Sequence, residues 1–99
     1  MLEIVKTLDG TAAMLSLGGR LDFDGAPLFA AELDELEDTV TDLVLDLEGL
    51  DYISSCGLRQ IVLAQKKMDG QGSLTLIRLQ PEVLDVLRMT GLAERLVIL

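Results

Sequence analysis

Histidine and tryptophan are absent from this chain, and cysteine occurs once. Without histidine the usual general base of a serine triad is missing. With one thiol, neither an intrachain disulfide nor a cysteine–histidine zinc site can be assembled, so no metal and no cofactor is expected. Aromatics make up only 3% of the residues, too few for a base-stacking platform. Positive charge is scarce too: 8 Lys and Arg stand against 17 Asp and Glu, a net charge of −9. A phosphate backbone would be repelled, which argues against direct nucleic-acid binding, whereas a basic protein partner is permitted. No apolar run approaches the roughly 18 residues of a membrane span. The opening MLEIVKTLDG has no basic stretch followed by an apolar one, so no secretory leader is expected. The lone cysteine suits a reducing cytoplasm, which is the expected location.

What is present suffices for a core. The chain has 99 residues, of which 49% are hydrophobic, and no linker, repeat or low-complexity tract interrupts them. One domain spanning 1–99 is expected, and nothing in the composition requires more than a monomer. Residues 2–8 alternate as a strand, Asp9-Gly10 reads as a tight turn, and 11–19 reads as the return strand, stopped by Gly18 and Gly19. The period then changes. Phe29, Leu33, Leu36 and Val40 recur at helical spacing, with Asp24 as the expected N-cap and Pro27 in the first turn. A strand is expected over 42–50 and a helix over 57–70, ending in Lys66, Lys67 and Gly70. A strand over 73–79 and a helix over 81–90 follow, the helix opening on Pro81 and closing before Gly91. Residues 95–99 form a last short strand or an apolar tail. The order β-β-α-β-α-β-α-β predicts an α/β fold: a mixed four- to five-stranded sheet with helices mainly on one face.

The stretch YISSCGLR, residues 52–59, carries the densest chemistry. Ser54 and Ser55 lack a histidine partner, and Lys66 and Lys67 fall about three turns down the following helix, too far for serine–lysine chemistry. On the residues alone, capping of the helix that begins near Gly57 is favoured over a modification site. The two roles are compatible, because free N–H groups at a helix start can receive an added phosphate. Cys56 reads as a small packing residue rather than a reactive thiol. Asp22, Asp24, Asp46, Glu48 and Asp51 flank strand ends; a paired-carboxylate hydrolase would need two of them facing across a cleft, and capping and solvation account for most of them. The chain contains no G-x-x-x-x-G-K phosphate cradle.

Nearly the whole length resembles a STAS domain, specifically the bacterial anti-sigma-factor antagonists. The resemblance runs through GRLDFDGAPLFAAEL, LVLDLEGLDYISSCGLRQIV and VLRMTGL. It implies a protein that is not an enzyme and has no catalytic residues. Its unphosphorylated form would bind an anti-sigma factor that is also an ATP-dependent serine kinase, thereby releasing a sigma factor. Serine phosphorylation would end the binding and a serine phosphatase would restore it. Alignment on Gly57 and Leu58 implies Ser55 as the phosphoacceptor, with Ser54 as the fallback. Ser54 stands where the best-known members have aspartate, and Cys56 where serine or alanine is usual. Asp22 matches an aspartate near the partner surface, with Asp24 close by. The implied docking set is Asp22, Asp24, Ser54, Ser55, Cys56, Gly57 and Arg59, and the ATP belongs to the partner. Two other readings stay open: a STAS module of a transporter accessory complex or larger signalling assembly, and a small enzyme built on Asp22 and Asp46.

Overall fold

The chain begins with a hairpin of β1 (Leu2–Asp9) and β2 (Ala12–Leu21), in which Asp9 pairs with Ala12 and Gly10–Thr11 form the loop. The turn therefore sits one residue later than Asp9-Gly10. Gly10 takes φ +62°, the left-handed value needed at the first position of a two-residue loop, and Asp9 stays in the strand. The structure, a computed structural model, describes residues 1–99.

Gly18 and Gly19 do not end β2. The strand runs through them to Leu21, and its register against the next strand shifts between Ser16 and Gly18 and again between Gly19 and Arg20. The glycines absorb these irregularities. A Cβ on Gly19, which has φ +88°, would lie 2.1 Å from the Met1 carbonyl oxygen. The shifted register matters for the site, because it brings Arg20 opposite Tyr52 and Leu21 opposite Ile53.

After β2 come α1 (Ala26–Glu35), β3 (Asp42–Ile53), α2 (Ser55–Asp69), β4 (Ser73–Ile77), α3 (Pro81–Met89), a 3-10 turn (Leu92–Glu94) and β5 (Val97–Ile98). The five strands lie in the order β1-β2-β3-β4-β5, antiparallel at the first pair and parallel thereafter. Each parallel step moves one place in the same direction, so right-handed crossovers lay all three helices on the same face. That is the mixed, one-sided α/β sheet expected from the element order.

Register alignment builds the core. Leu15, Leu45 and Leu76 stand side by side on adjacent strands and are fully buried. Phe29 of α1, Ile61, Ala64 and Met68 of α2, and Val83 and Leu87 of α3 close over them in one cluster. Burial of each large side chain contributes about 1.5–3 kcal/mol.

Three local expectations are corrected. The helical spacing to Val40 overshoots: Leu36 is already extended at the end of α1 (φ −68°, ψ 130°), and Leu36 and Val40 reach the core from a non-helical segment. Asp24 does not cap α1, since the N-cap position is Gly25 and carries no side-chain bond. Asp22 supplies the carboxylate instead, its Oδ1 accepting from the Asp24 N–H at 3.1 Å and the Gly25 N–H at 3.0 Å. Finally, β3 continues to Ile53 and α2 starts at Ser55, so strand and helix meet at a single residue, Ser54.

Candidate functional site at the junction of β3 and α2

Ser54 is the joint. Its N–H donates to the Leu21 carbonyl at 3.0 Å, its hydroxyl donates to the same oxygen at 3.4 Å, and that hydroxyl accepts from the Gly57 N–H at 3.3 Å. One side chain thus caps α2 and ties it to the end of β2. Gly57 is buried at this contact, where a Cβ would stand 2.5 Å from the Leu21 carbonyl oxygen and 2.8 Å from Ile53 Cγ1. Only glycine lets the first turn of the helix lie this close to the strand, so Gly57 acts through packing. Cys56 is half-buried rather than sealed in the core.

With Ser54 engaged in the cap, Ser55 is the exposed hydroxyl at the first helical position. Arg59, one turn further, is exposed on the same side of α2. Lys66 and Lys67 lie in the last turn of α2, Lys66 about 16 Å along the axis from Ser55, so neither can serve as its base.

The loop between β2 and α1 forms the second wall. Asp22 Oδ2 faces Arg20 Nε at 3.6 Å. The Gly25 N–H holds the Asp22 carboxyl below the usual carboxylate range, helped by the amino terminus, the Asp24 N–H and Arg20, against a smaller opposing effect of desolvation. The Arg20 guanidinium also lies 4.0 Å from the centroid of the Tyr52 ring. Asp24 is exposed, and so is Phe23 beside it. The resemblance implies Asp22 and Asp24 on this surface, and the structure adds Phe23, Arg20 and Tyr52 to them. One signal was available for Phe23: an aromatic between two aspartates, outside any apolar period, has no core to enter.

The carboxylates are dispersed. Asp46 is buried on the helix-free side of β3 and pairs with Arg78, whose Nε donates to its Oδ1 at 3.2 Å. Arg78 Nη1 also meets Glu48 Oε2 at 3.3 Å. The Arg78 bonds hold the Asp46 carboxyl below the usual carboxylate range, more than burial raises it. Asp46 and Glu48 therefore share a guanidinium instead of facing each other across a cleft, and Asp22 belongs to a separate loop.

Residues 3–98 match the model of the STAS domain. The chain is 46% identical over 63 residues to BtrV of Bordetella bronchiseptica, named as a candidate anti-sigma factor antagonist. That match covers 63% of this chain and 52% of BtrV, so it spans about half the length of the relative. Among solved structures, a candidate anti-sigma factor antagonist from Thermotoga maritima superposes with a TM-score of 0.84 at 22% identity, over 96% of this chain and 84% of that one. The Bacillus cell-fate determinant SpoIIAA, in its phosphorylated form, superposes with a TM-score of 0.75 at 17% identity, over 100% of this chain and 91% of that one. At these identities the structural likeness speaks for the fold.

Proposed function

The chain belongs to the STAS domain family, and we propose that it works as an anti-sigma-factor antagonist switched by phosphorylation of Ser55. The unmodified protein docks on an anti-sigma factor that is also an ATP-dependent serine kinase, and a sigma factor is released. The observation that carries this reading is the division of labour between neighbouring serines: Ser54 is held in the cap and Ser55 stands exposed at the tip of a rigid helix. The names given to BtrV and to the Thermotoga protein support the antagonist role, and the phosphorylated form of the Bacillus protein supports a modification in this fold.

In the transfer step the Ser55 Oγ attacks the γ-phosphorus of ATP held by the partner. The bond to the β–γ bridging oxygen breaks, ADP leaves, and a base of the kinase takes up the hydroxyl proton. A serine phosphatase reverses the modification by hydrolysis. The protein itself supplies no nucleotide site and no catalyst, and it acts as a cytoplasmic monomer.

The energetics suffice without refolding. A phosphate adds about −1.5 to −2 charges at one point. Two like unit charges about 4 Å apart cost about 4 kcal/mol at an effective dielectric of about 20, whereas a hundredfold loss of affinity needs only about 2.8 kcal/mol. In this reading the docking face comprises Asp22, Asp24, Cys56 and Arg59 together with the Ser55 hydroxyl, while Gly57 and Ser54 fix the start of the helix that carries it.

The test is to incubate the purified protein with each ATP-binding anti-sigma factor of its source organism and ATP, and to map the phosphate by mass spectrometry. One phosphate on Ser55 is expected, with Ser55→Ala binding the kinase and Ser55→Asp binding poorly. Absence of both modification and binding would overturn the proposal.

A further inference from the structure

The chain has only two phenylalanines and one tyrosine. Phe29 is fully buried, but Phe23 is 75% exposed and Tyr52 is 41% exposed. Both exposed rings stand at the end of the sheet where β2 and β3 finish, and Arg20 connects them, stacking on Tyr52 and pairing with Asp22 next to Phe23. The Asp22 carboxylate accepts from the Asp24 and Gly25 N–H groups, on the far side of Phe23. That closure fixes the loop and presents the Phe23 ring outward. A polar residue there would serve the fold equally well, since the ring removes little of its own surface from water.

We infer that Phe23 is the anchor by which this chain docks, and that its site on the partner is an apolar pocket rimmed by lysine or arginine. The inference rests on the reading of the chain as an anti-sigma-factor antagonist and names the contact that reading lacks. Three observations select this occupant. The loop backbone beneath Phe23 is already fixed by the Asp22 carboxylate, so docking orders only the two torsions of an aromatic side chain, a small entropy cost for a large contact area. The surroundings of the ring carry an acidic excess: Asp22 and Asp24 on either side and exposed Asp51 next to Tyr52 outnumber Arg20 and the amino terminus that face Asp22, so the complementary rim is basic and an anionic lipid surface is disfavoured. The anchor is also continuous with the switch: Leu21, two residues before Phe23, accepts both hydrogen bonds from Ser54, the neighbour of Ser55. A partner seated on Phe23 therefore has Ser55 within its footprint, and a phosphate there acts on a contact already centred on the aromatic ring.

The experiment measures binding of the full chain to the anti-sigma factor kinase that modifies Ser55, by calorimetry, for wild type, Phe23→Ala, Phe23→Trp and a control, Val97→Ala, at an exposed position on the edge strand. Phe23→Ala is expected to weaken binding about 30-fold or more and to lower the kinase kcat/KM in step. Phe23→Trp should stay within a few-fold of wild type, Val97→Ala should match it, and the melting temperature of Phe23→Ala should be unchanged. If Phe23→Ala binds like wild type while Ser55→Asp does not bind, the anchor is wrong and the switch stands. If Phe23→Ala instead abolishes self-association in sedimentation and leaves kinase binding intact, the occupant is a second copy and the inference is overturned. If no anti-sigma factor binds wild type, the antagonist reading fails and the anchor with it.

Discussion

Arg78 reaches from the end of β4 to the Asp46 carboxylate in the middle of β3, and it does so from a backbone φ of +56°. A non-glycine residue in this region carries a cost of about 1 kcal/mol or more. The surroundings hold it there. Arg78 also pairs with Glu48, the Glu48 N–H donates to Asp46 Oδ1 at 3.2 Å, and Gln80 Nε2 donates to the Glu48 carbonyl at 2.5 Å. The clamp ends β4 two residues before the sequence pattern does and fixes where α3 begins. The Asp46 carboxyl is lowered in the folded state, so the pair stabilises the fold above the unfolded carboxylate value of about 3.9. That contribution is lost as pH falls through the lower folded value. Urea unfolding from pH 7 to pH 2 should therefore show stability dropping below about pH 4, and Asp46→Asn should be less stable at pH 7 with a shallower acid limb. An acid limb as steep as that of wild type would show that other carboxylates dominate.

The two serines should separate cleanly. Ser54→Ala removes the bond to the Gly57 N–H and the link to Leu21, and is expected to cost about 1 kcal/mol in urea unfolding. Ser55→Ala, at an exposed position, should stay within about 0.5 kcal/mol of wild type. Kinase treatment should give the opposite pattern, with phosphate incorporated into Ser54→Ala and not into Ser55→Ala.

Gly57→Ala drives a methyl group to within 2.5 Å of the Leu21 carbonyl oxygen. The α2 tip must move away from β2, at a cost of about 2–3 kcal/mol. The amide resonances of Ser54 and Ser55 should shift in a nitrogen–proton correlation spectrum, and the rate of Ser55 phosphorylation should fall even at temperatures where the variant stays folded.

Arg59 lies one helical turn below Ser55 and is exposed. A phosphate on Ser55 acquires a cationic neighbour at the i,i+4 spacing. With phosphoserine installed genetically at 55, phosphorus NMR should report a second phosphate pKa lower by about 0.3 with Arg59 present than in Arg59→Gln. Equal titrations would exclude Arg59 as a contributor to the modified state.

Much of this architecture was legible in the residues. Alternation marked the hairpin, helical spacing picked out Phe29 and Leu33 as core, and Pro81 and Gly91 bracketed α3. Each of these signals lies within a few residues of the element it specifies. The misreadings share a different cause. Gly18 and Gly19 are poor strand residues, but the neighbouring strands carry β2 through them by a register shift. Val40 keeps the helical period of α1 and reaches the core from outside the helix, because burial constrains the side chain and not the backbone that delivers it. Either serine of residues 54–55 could have been the cap; the continuation of β3 to Ile53 decided it.

By itself the sequence determined the element order, the buried face of α1 at Phe29 and Leu33 and the presence of a capping serine ahead of Gly57. These follow from side-chain period and from hydrogen bonds between near neighbours in the chain. Only the tertiary structure decided which serine is exposed, that Arg20 lies over Tyr52, and that Phe23 stands free beside them. Those facts depend on contacts such as Ser54 with Leu21, 33 residues apart, and on a strand register set by two irregularities in β2. A local pattern cannot encode them, because a shift of one residue in that register would turn every following side chain of the strand to the opposite face.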